Sequence, residues 1–561
     1  MNQTRNLLFF AWLAVATLLW MQWSADHAPK APATANATTA QSAPAATAGV
    51  PSPNGTIPTA PGAALVQPVQ PAVVQAMPTV EVRTDVLRLQ LAGDGVQVAD
   101  LLQYPRSEAA NSEPVRLLDT APTQFYAANS AWMSGAGASA KPLAFAPVDA
   151  ARSVSLAPAQ QQLVVPFEAR TAEGVVVRRE YVLTRGSYVI AVRDRVRNDG
   201  TAAWQGYVSR QLVRVPQQLK SSMVNPESYS FHGATWFSPS DGYERRRFDD
   251  KYLKDGHLDK TISGGWLAIL QHHFFVAWIP QKDQGALYAL AQNGMQDSIS
   301  ASGPQFTLAP GQSGSSDARL WIGPKLVSQL KAQDVPGLDR AVDYSRFALF
   351  AMLGQGLFWI LSHLHALIGN WGWAIIGLVV LLKIALFPLS NAQYKSAAQM
   401  RRFQPRLQQL KERYGDDKQK YQQAMLELYK KEKINPMGGC LPVIPQMLIF
   451  MTLYWVLSEA VELRQAPWIG WIHDLTARDP YFILPVLNAG IMFATQHMMP
   501  AAPGMDPTQQ KMMKFMPLIF GVVLMFLPAG LVLYQVANGG LGLAQQWYML
   551  RKYGEPKAKT A

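Results

Sequence analysis

The chain has 561 residues, of which 49% are apolar and 16% charged; a soluble globular protein carries about 25% charged residues, so part of this surface is not built for water. The formal net charge is +12 and the only cysteine is Cys440, which excludes an internal disulfide framework, a C-x-x-C redox pair and a thiolate zinc cluster. Phosphate-loop and H-E-x-x-H zinc signatures are missing, and Gly135-Ala-Gly137-Ala-Ser-Ala140 follows no strand-like run that would make it a dinucleotide loop.

From the start, Leu7 to Trp23 is an uncharged apolar run preceded by Arg5. Small residues are not placed for cleavage before Asp26, so residues 1–25 read as an uncleaved transmembrane anchor rather than a signal peptide. Residues 26–80 are rich in Ala, Pro and Thr, and between His27 and Val80 only Lys30 is charged. Such a segment buries too little apolar surface to offset its ordering entropy, and it reads as a disordered linker.

Residues 81–340 read as a water-facing β domain. Leu87, Leu89 and Leu91 alternate with Arg88 and Gln90, and Gly93-Asp94-Gly95 supplies a turn. Tyr188, Ile190 and Val192 share one strand face, Arg193, Arg195 and Arg197 the other, and Asn198-Asp199-Gly200 closes the run. Period-two alternation between polar turns predicts antiparallel sheets with one wet face, folded as one large sandwich. His272-His273, among apolar residues with no carboxylate nearby in sequence, reads as ordinary packing.

After Arg346 the chain turns apolar. Residues 341–370 carry Gln355, Ser362, His363 and His365 among aromatics and read as a helix lying in the membrane interface. Gly369-Asn370 breaks the run, and Trp371 to Leu389 reads as a full span with one charge, Lys383. Further spans are expected at 441–459 and 481–499, then a hairpin over 515–550 turning at Pro528-Ala529-Gly530, with arms of about 18 residues or roughly 27 Å. The core of five spans thus covers 371–550, and a helical hairpin is expected at 391–434. There Met400, Phe403, Leu407, Leu410 and Tyr414 form a helical seam, Gly415-Asp416-Asp417 breaks it, and Tyr421, Ala424 and Leu428 resume it.

Charge sets the orientation. Residues 390–440 carry eleven basic side chains, and Lys511, Lys514 and the 551–561 tail fall on the same side. The opposite short loops hold Arg464 and Arg478. By the positive-inside rule the basic side is cytoplasmic, both termini lie there, and the β domain lies across the membrane.

Lys383 is the sharpest functional signal. An ammonium within a span costs about 2.5–3.5 kcal/mol unless it faces a polar cavity, and six residues before Leu389 places it about 9 Å inside the boundary. A lysine snorkelling to the interface is the competing reading. Gln446, Thr452, Asn488, Tyr534, Gln535 and Asn538 are available to line such a cavity. No Asp or Glu lies well inside another span, Glu459 near one end being the closest, which disfavours a proton pump.

Several motifs, in order, resemble the YidC membrane-protein insertases of Gram-negative bacteria. They are Gly369-Asn-Trp-Gly372, Phe387-Pro-Leu389, Asn435-Pro-Met-Gly-Gly-Cys-Leu-Pro442 with Gln446, Val461-Glu-Leu-Arg-Gln-Ala-Pro467, Trp471-Ile-His-Asp474, Asp479-Pro-Tyr-Phe-Ile-Leu-Pro485 and Gly530-Leu-Val-Leu-Tyr534. The resemblance implies an α-helical polytopic membrane protein, an N-terminal anchor plus five-helix insertase core, with a periplasmic all-β supersandwich. It implies a hydrophilic groove open to cytoplasm and lipid, lined by Lys383, Gln446, Thr452, Tyr534, Gln535 and Asn538, with Tyr534 an amphipathic sliding surface. Lys383 stands where the family commonly has an arginine. Arg401, Arg402, Arg406, Lys411, Arg413, Arg551 and Lys552 would meet substrate or ribosome on the cytoplasmic face. Implied partners are nascent membrane proteins, the Sec translocon (SecYEG and SecDF), the ribosome and membrane lipid. No enzyme chemistry, cofactor, metal or sequence-specific nucleic-acid binding is expected. The rival readings are a secondary transporter and a membrane-anchored carbohydrate-binding or carbohydrate-processing protein.

Overall fold

The computed structural model describes residues 78–553 except 110, 137–138, 218–229, 250–251, 254–257, 343, 345–346, 394–403, 415–416, 432–442 and 499–506. The expected anchor and linker, Arg401, Arg402, Cys440 and the tail beyond Tyr553 lie outside the described residues.

Among the described residues, two sheets of twelve and nine strands form the β region. Alternation builds them as expected. In Leu87–Ala92 the leucines are buried, while Arg88 turns out to Asp100 at 2.6 Å. Val189–Asn198 buries Ile190, Val192 and Val196 and exposes Arg193, Arg195 and Arg197. Pairing is antiparallel apart from Val80–Arg83 alongside Ser153–Ser155, which is parallel. Between the sheets the core is aromatic, with Trp132, Trp266, Trp278 and Trp321 fully buried. One charged pair lies in it. Arg179 donates to both carboxylate oxygens of Asp194 at 2.7 Å, also bonds the Gly93 and Ser130 carbonyls, and is wholly buried.

The helices follow. α1 (Ala348–Ile368) ends at Gly369, whose φ of 77° is the left-handed value glycine adopts without strain. Asn370 then caps α2 (Trp371–Ala385) by accepting from Trp373 N at 3.1 Å, so α1 and α2 fold back on each other. Phe358 and His365 of α1 stack on Trp371. By length and composition, Leu349–Ile368 is able to cross a membrane, which the interfacial reading does not provide for.

Next come α3 (Phe387–Gln393), α4 (Gln404–Tyr414), α5 (Lys418–Lys431), α6 (Val443–Glu459), α7 (Ile483–Met498), α8 (Pro507–Leu524) and α9 (Ala529–Tyr553). Asp417 caps α5 as its position suggests, accepting from Lys420 N at 3.1 Å. Two expectations fail. The span read as Trp371 to Leu389 is not one helix: α2 and α3 meet at 60°. Pro388 has no N–H to bond back across that bend. The arms of the last hairpin are also unequal, since α9 runs 25 residues, or about 37 Å at 1.5 Å per residue.

The β region is locked to the far end of α6. Ser230 donates to Glu459 at 2.8 Å, Lys325 approaches the other carboxylate oxygen at 3.7 Å, and all three are buried. His272 bonds the Ser458 carbonyl at 2.7 Å and stacks on His273. The histidine pair therefore packs, as read, but its packing joins two regions. Burial with nearby cations pushes His232 down to about 4 and His273 well below the ordinary histidine value. Glu462 is pushed up to about 7 by burial alone, with its Oε1 on Val327 N.

Candidate functional site

The site grows from helical spacing. Ile375 and Val379 of α2 are buried, and Lys383, four residues further, lies on the same stripe. Lys383 thus faces the helix bundle. The bend puts it in the last turn of α2, so it is nearer the helix end than the 9 Å computed from a straight span. There a cation also complements the C-terminal carbonyls. On α9, Tyr534, Asn538, Gly542 and Gln545 recur at helical spacing along one face.

These stripes meet at a cavity of about 160 Å³. Its walls are Val379, Leu382, Lys383 and Leu386 around the end of α2; Leu389, Ser390 and Gln393 from α3; Gln446 and Ile449 from α6; and Tyr534, Asn538 and Gln545 from α9. Gln446 Nε2 donates to the Tyr534 hydroxyl at 3.1 Å and ties α6 to α9. Lys383 is half-buried, and its Nζ lies 3.4 Å from where a side chain at Gly542 would begin.

The structure therefore brings together four of the six predicted groove residues: Lys383, Gln446, Tyr534 and Asn538. Thr452 is buried elsewhere and donates to the Leu448 carbonyl at 2.7 Å, the common self-satisfaction of a threonine in a helix. Gln535 lies one residue round α9 from Tyr534 and is not on the cavity wall. Tyr534 is almost wholly buried, which does not fit a sliding surface, and its hydroxyl accepts from Gln446 beside the cavity. Asn488 is buried against Met492. Ser390, Gln393 and Gln545 were not foreseen. Gln545 was within reach, seven residues after Asn538 on the same face. Ser390 and Gln393 were hidden by the assumption of a straight span.

The loop before α7 is held against the start of α9. Asp479 accepts from Trp471 Nε1 at 3.0 Å and from Leu484 N at 2.7 Å, capping α7. Ala529 N and Gly530 N bond the Ala477 and Leu475 carbonyls, pinning that loop on the start of α9. Gly372 lies so close to Trp468 that a methyl group there would overlap the ring. The motifs that carried the resemblance are thus mostly loop locks, not cavity walls.

Arg406 and Arg413 are exposed on α4, and Lys411 lies within it. Arg551 and Lys552 are exposed at the end of α9, with the Arg551 guanidinium over Trp547 at 3.8 Å.

Residues 79–360 match the family described as YidC periplasmic domain, and residues 363–556 match that described as 60Kd inner membrane protein. A chain named membrane protein insertase YidC from Xanthomonas campestris pv. campestris (strain 8004) is 58% identical over 574 residues, covering 100% of this chain and 99% of that one. Its namesake from Stenotrophomonas maltophilia (strain R551-3) is 58% identical over 569 residues, with coverage of 100% and 98%. A solved structure titled active YidC insertase with the first transmembrane domain resolved is 17% identical with a TM-score of 0.36, covering 84% of this chain and 95% of that one.

Proposed function

The chain belongs to the YidC family of inner-membrane protein insertases, and on that premise we propose that the cavity around Lys383 is where a client's polar segment is received. The observation that carries this reading is the convergence of one ammonium and several uncharged polar groups on a single cavity, in a bundle whose outer face is apolar. A polar segment entering there need not cross the full hydrocarbon thickness. The adjoining apolar segment then leaves for lipid, gaining about 25 cal/mol per Å² removed from water. No bond is made or broken in this account. Lys383 attracts acidic or hydrated client groups, and the Gln446–Tyr534 bond holds the wall.

In the topology we propose, residues 1–25 are the anchor, 26–80 the linker, 81–340 the periplasmic domain, 341–370 an amphipathic interfacial helix and 371–550 the core, with 391–434 and 551–561 cytoplasmic. The uneven distribution of Lys and Arg supports it. Arg401, Arg402, Arg406, Lys411, Arg413, Arg551 and Lys552 then face the ribosome and the incoming chain, and SecYEG and SecDF are partners. The test is insertion of a single-span client into vesicles containing only the purified full-length protein. Protease protection of the client's translocated end is the expected result; its absence, with protein correctly incorporated, contradicts the proposal.

A further inference from the structure

Away from the membrane bundle, a second cavity of about 240 Å³ lies on the outer face of the nine-stranded sheet. Its floor follows from strand register. Ala191, Arg319 and Ile279 stand opposite one another on three neighbouring strands, Val189–Asn198, Ser313–Pro324 and Phe274–Pro280, so their side chains share one face. Alternation turns Ile190 and Val192 into the core, which leaves Ala191 and Arg193 pointing outward. Ile279 points outward too, yet it is only 5% exposed, because residues 332–337 pass over this part of the sheet. That segment is tied down at two points. Arg319 Nη1 donates to the Gln333 carbonyl at 2.9 Å, and Trp266 Nε1 donates to the Pro336 carbonyl at 3.1 Å. Between them, left-handed backbone at Asp334 and then Gly337, with φ of 50° and 69°, bends the chain. Val335 and Pro336 therefore roof the apolar floor.

The rim is cationic. Arg193, Lys282 and Arg319 line the cavity, and the acids on its wall are Asp317 and Asp334. Arg195 already closes on Asp317 at 2.5 Å, which leaves three cations facing Asp334. Burial lowers the Arg319 pKa against the opposing pull of Asp334, so a further anion beside that guanidinium would offset the cost of its desolvation. Apolar walls with a few polar groups that fix orientation are the usual build of a small-molecule site. This one falls below the roughly 300–1,000 Å³ of drug-sized pockets, so its ligand has a body of few carbon atoms.

We propose that this cavity binds a carboxylate on a short apolar body, with the body against Ala191, Ile279 and Val335 and the carboxylate on Arg319 and Arg193. A guanidinium fork holds both oxygens of such a group. A free short-chain acid and the last residue of a peptide share that chemistry. The site is separate from the Lys383 cavity and does not depend on what that cavity receives.

The test uses full-length protein in nanodiscs of zwitterionic lipid, with hexanoate as probe, hexanol as its uncharged counterpart and empty nanodiscs as the blank. Saturation-transfer NMR reads binding, and amide hydrogen exchange from Val327 to Leu338 locates it. Hexanoate should bind about tenfold more tightly than hexanol and slow exchange in that segment. Arg319→Gln should weaken hexanoate about tenfold, the loss of one hydrogen bond to a charged group, and leave hexanol unchanged. Ala191→Phe, which fills the cavity and keeps every cation, should abolish binding of both; it serves if the Arg319 variant loosens the segment. The peptide Gly-Gly-Leu, with a free or an amidated C-terminus, separates the two sources. Tighter binding of the free peptide than of hexanoate assigns the site to a chain end, and the reverse assigns it to a free acid. Equal affinity for hexanoate and hexanol overturns the proposal, as does hexanoate binding that survives Ala191→Phe or protects only other segments. Wild-type protein that binds neither hexanoate nor the free peptide overturns it as well.

Discussion

The β region and the helical region follow one rule in two solvents. Among the described residues from Val80 to Pro324, the exposed large apolar side chains are Val148, Val164 and Met295. Beyond Phe347 every long apolar helix shows them: Leu349, Met352 and Trp359 on α1, Ile444 and Met447 on α6, Val486 and Phe493 on α7, Leu518 and Ile519 on α8. Patches of that extent on a water-soluble protein would be sticky; against lipid they are the natural outer surface. The treatment of charge differs as well. The sandwich closes the wholly buried Arg179 onto the Asp194 carboxylate, while the buried Arg210 and Arg214 lie over the Trp278 and Tyr126 rings. The bundle instead turns Lys383 toward a cavity with room for a visitor. A closed pair specifies a fold, whereas an ammonium beside a cavity is available for binding.

Labelling tests that contrast with an all-or-none outcome. In a Cys440→Ser background, cysteines at the exposed positions Thr120 and Ile469 should react with an impermeant maleimide from the periplasm, and one at Gln419 only after lysis. Ala466 is in the same loop as Ile469 but too buried to serve. External labelling of Gln419 would invert the topology.

Removing a charge partner separates the regions energetically. Asp194→Ala leaves Arg179 buried and unpaired and should destabilise the sandwich by about 3–5 kcal/mol. Lys383→Ala removes a half-buried cation and should leave the unfolding midpoint near that of wild type. Chemical denaturation followed by tryptophan fluorescence compares them; equal losses would mean Lys383 is structural.

The seam between the regions should respond to pH. Glu462 has a folded pKa of about 7 against an ordinary value of 4.5, so the folded state holds its proton more tightly than the unfolded one. Its contribution therefore declines as pH rises from about 4.5 through 7 and is level above. Asp297 shifts the same way, to about 6, and His232 the opposite way at lower pH. The informative quantity is thus the stability difference between wild type and Glu462→Gln at each pH. That difference should grow in favour of the glutamine between pH 5 and 8; a flat difference would remove Glu462 from the seam's energetics.

The smallest effect is expected at the surface. Arg551→Ala with Lys552→Ala should weaken ribosome co-sedimentation about two- to fivefold at low salt, and the difference should vanish when salt screens it. No change at low salt would make these charges topology signals alone.

Much of this was legible in sequence because burial has a period. Alternation in Leu87–Ala92 and Val189–Asn198 predicted their buried faces, and Asp417 announced the start of α5. Lys383 stood out as a charge on an apolar stripe. What stayed hidden depends on contacts between distant segments. That Glu459 would meet Ser230, 229 residues earlier in the chain, has no local signature. Neither does the difference between Thr452, which satisfies its own helix, and Gln446, which reaches Tyr534. The bend between α2 and α3 was marked by Pro388, yet only the fold shows that it carries Ser390 and Gln393 into the cavity.

The central claim is that a positive charge at position 383 receives the polar part of a client. The most direct measurement is insertion of paired clients, one acidic and one neutral in the translocated segment, by wild type, Lys383→Arg, Lys383→Ala and Lys383→Glu at matched protein levels in vesicles. The account predicts that arginine retains the acidic client, alanine loses most of it while losing less of the neutral one, and glutamate is worse than alanine through repulsion in a partly desolvated site. Equal insertion of both clients by wild type and Lys383→Ala would contradict it.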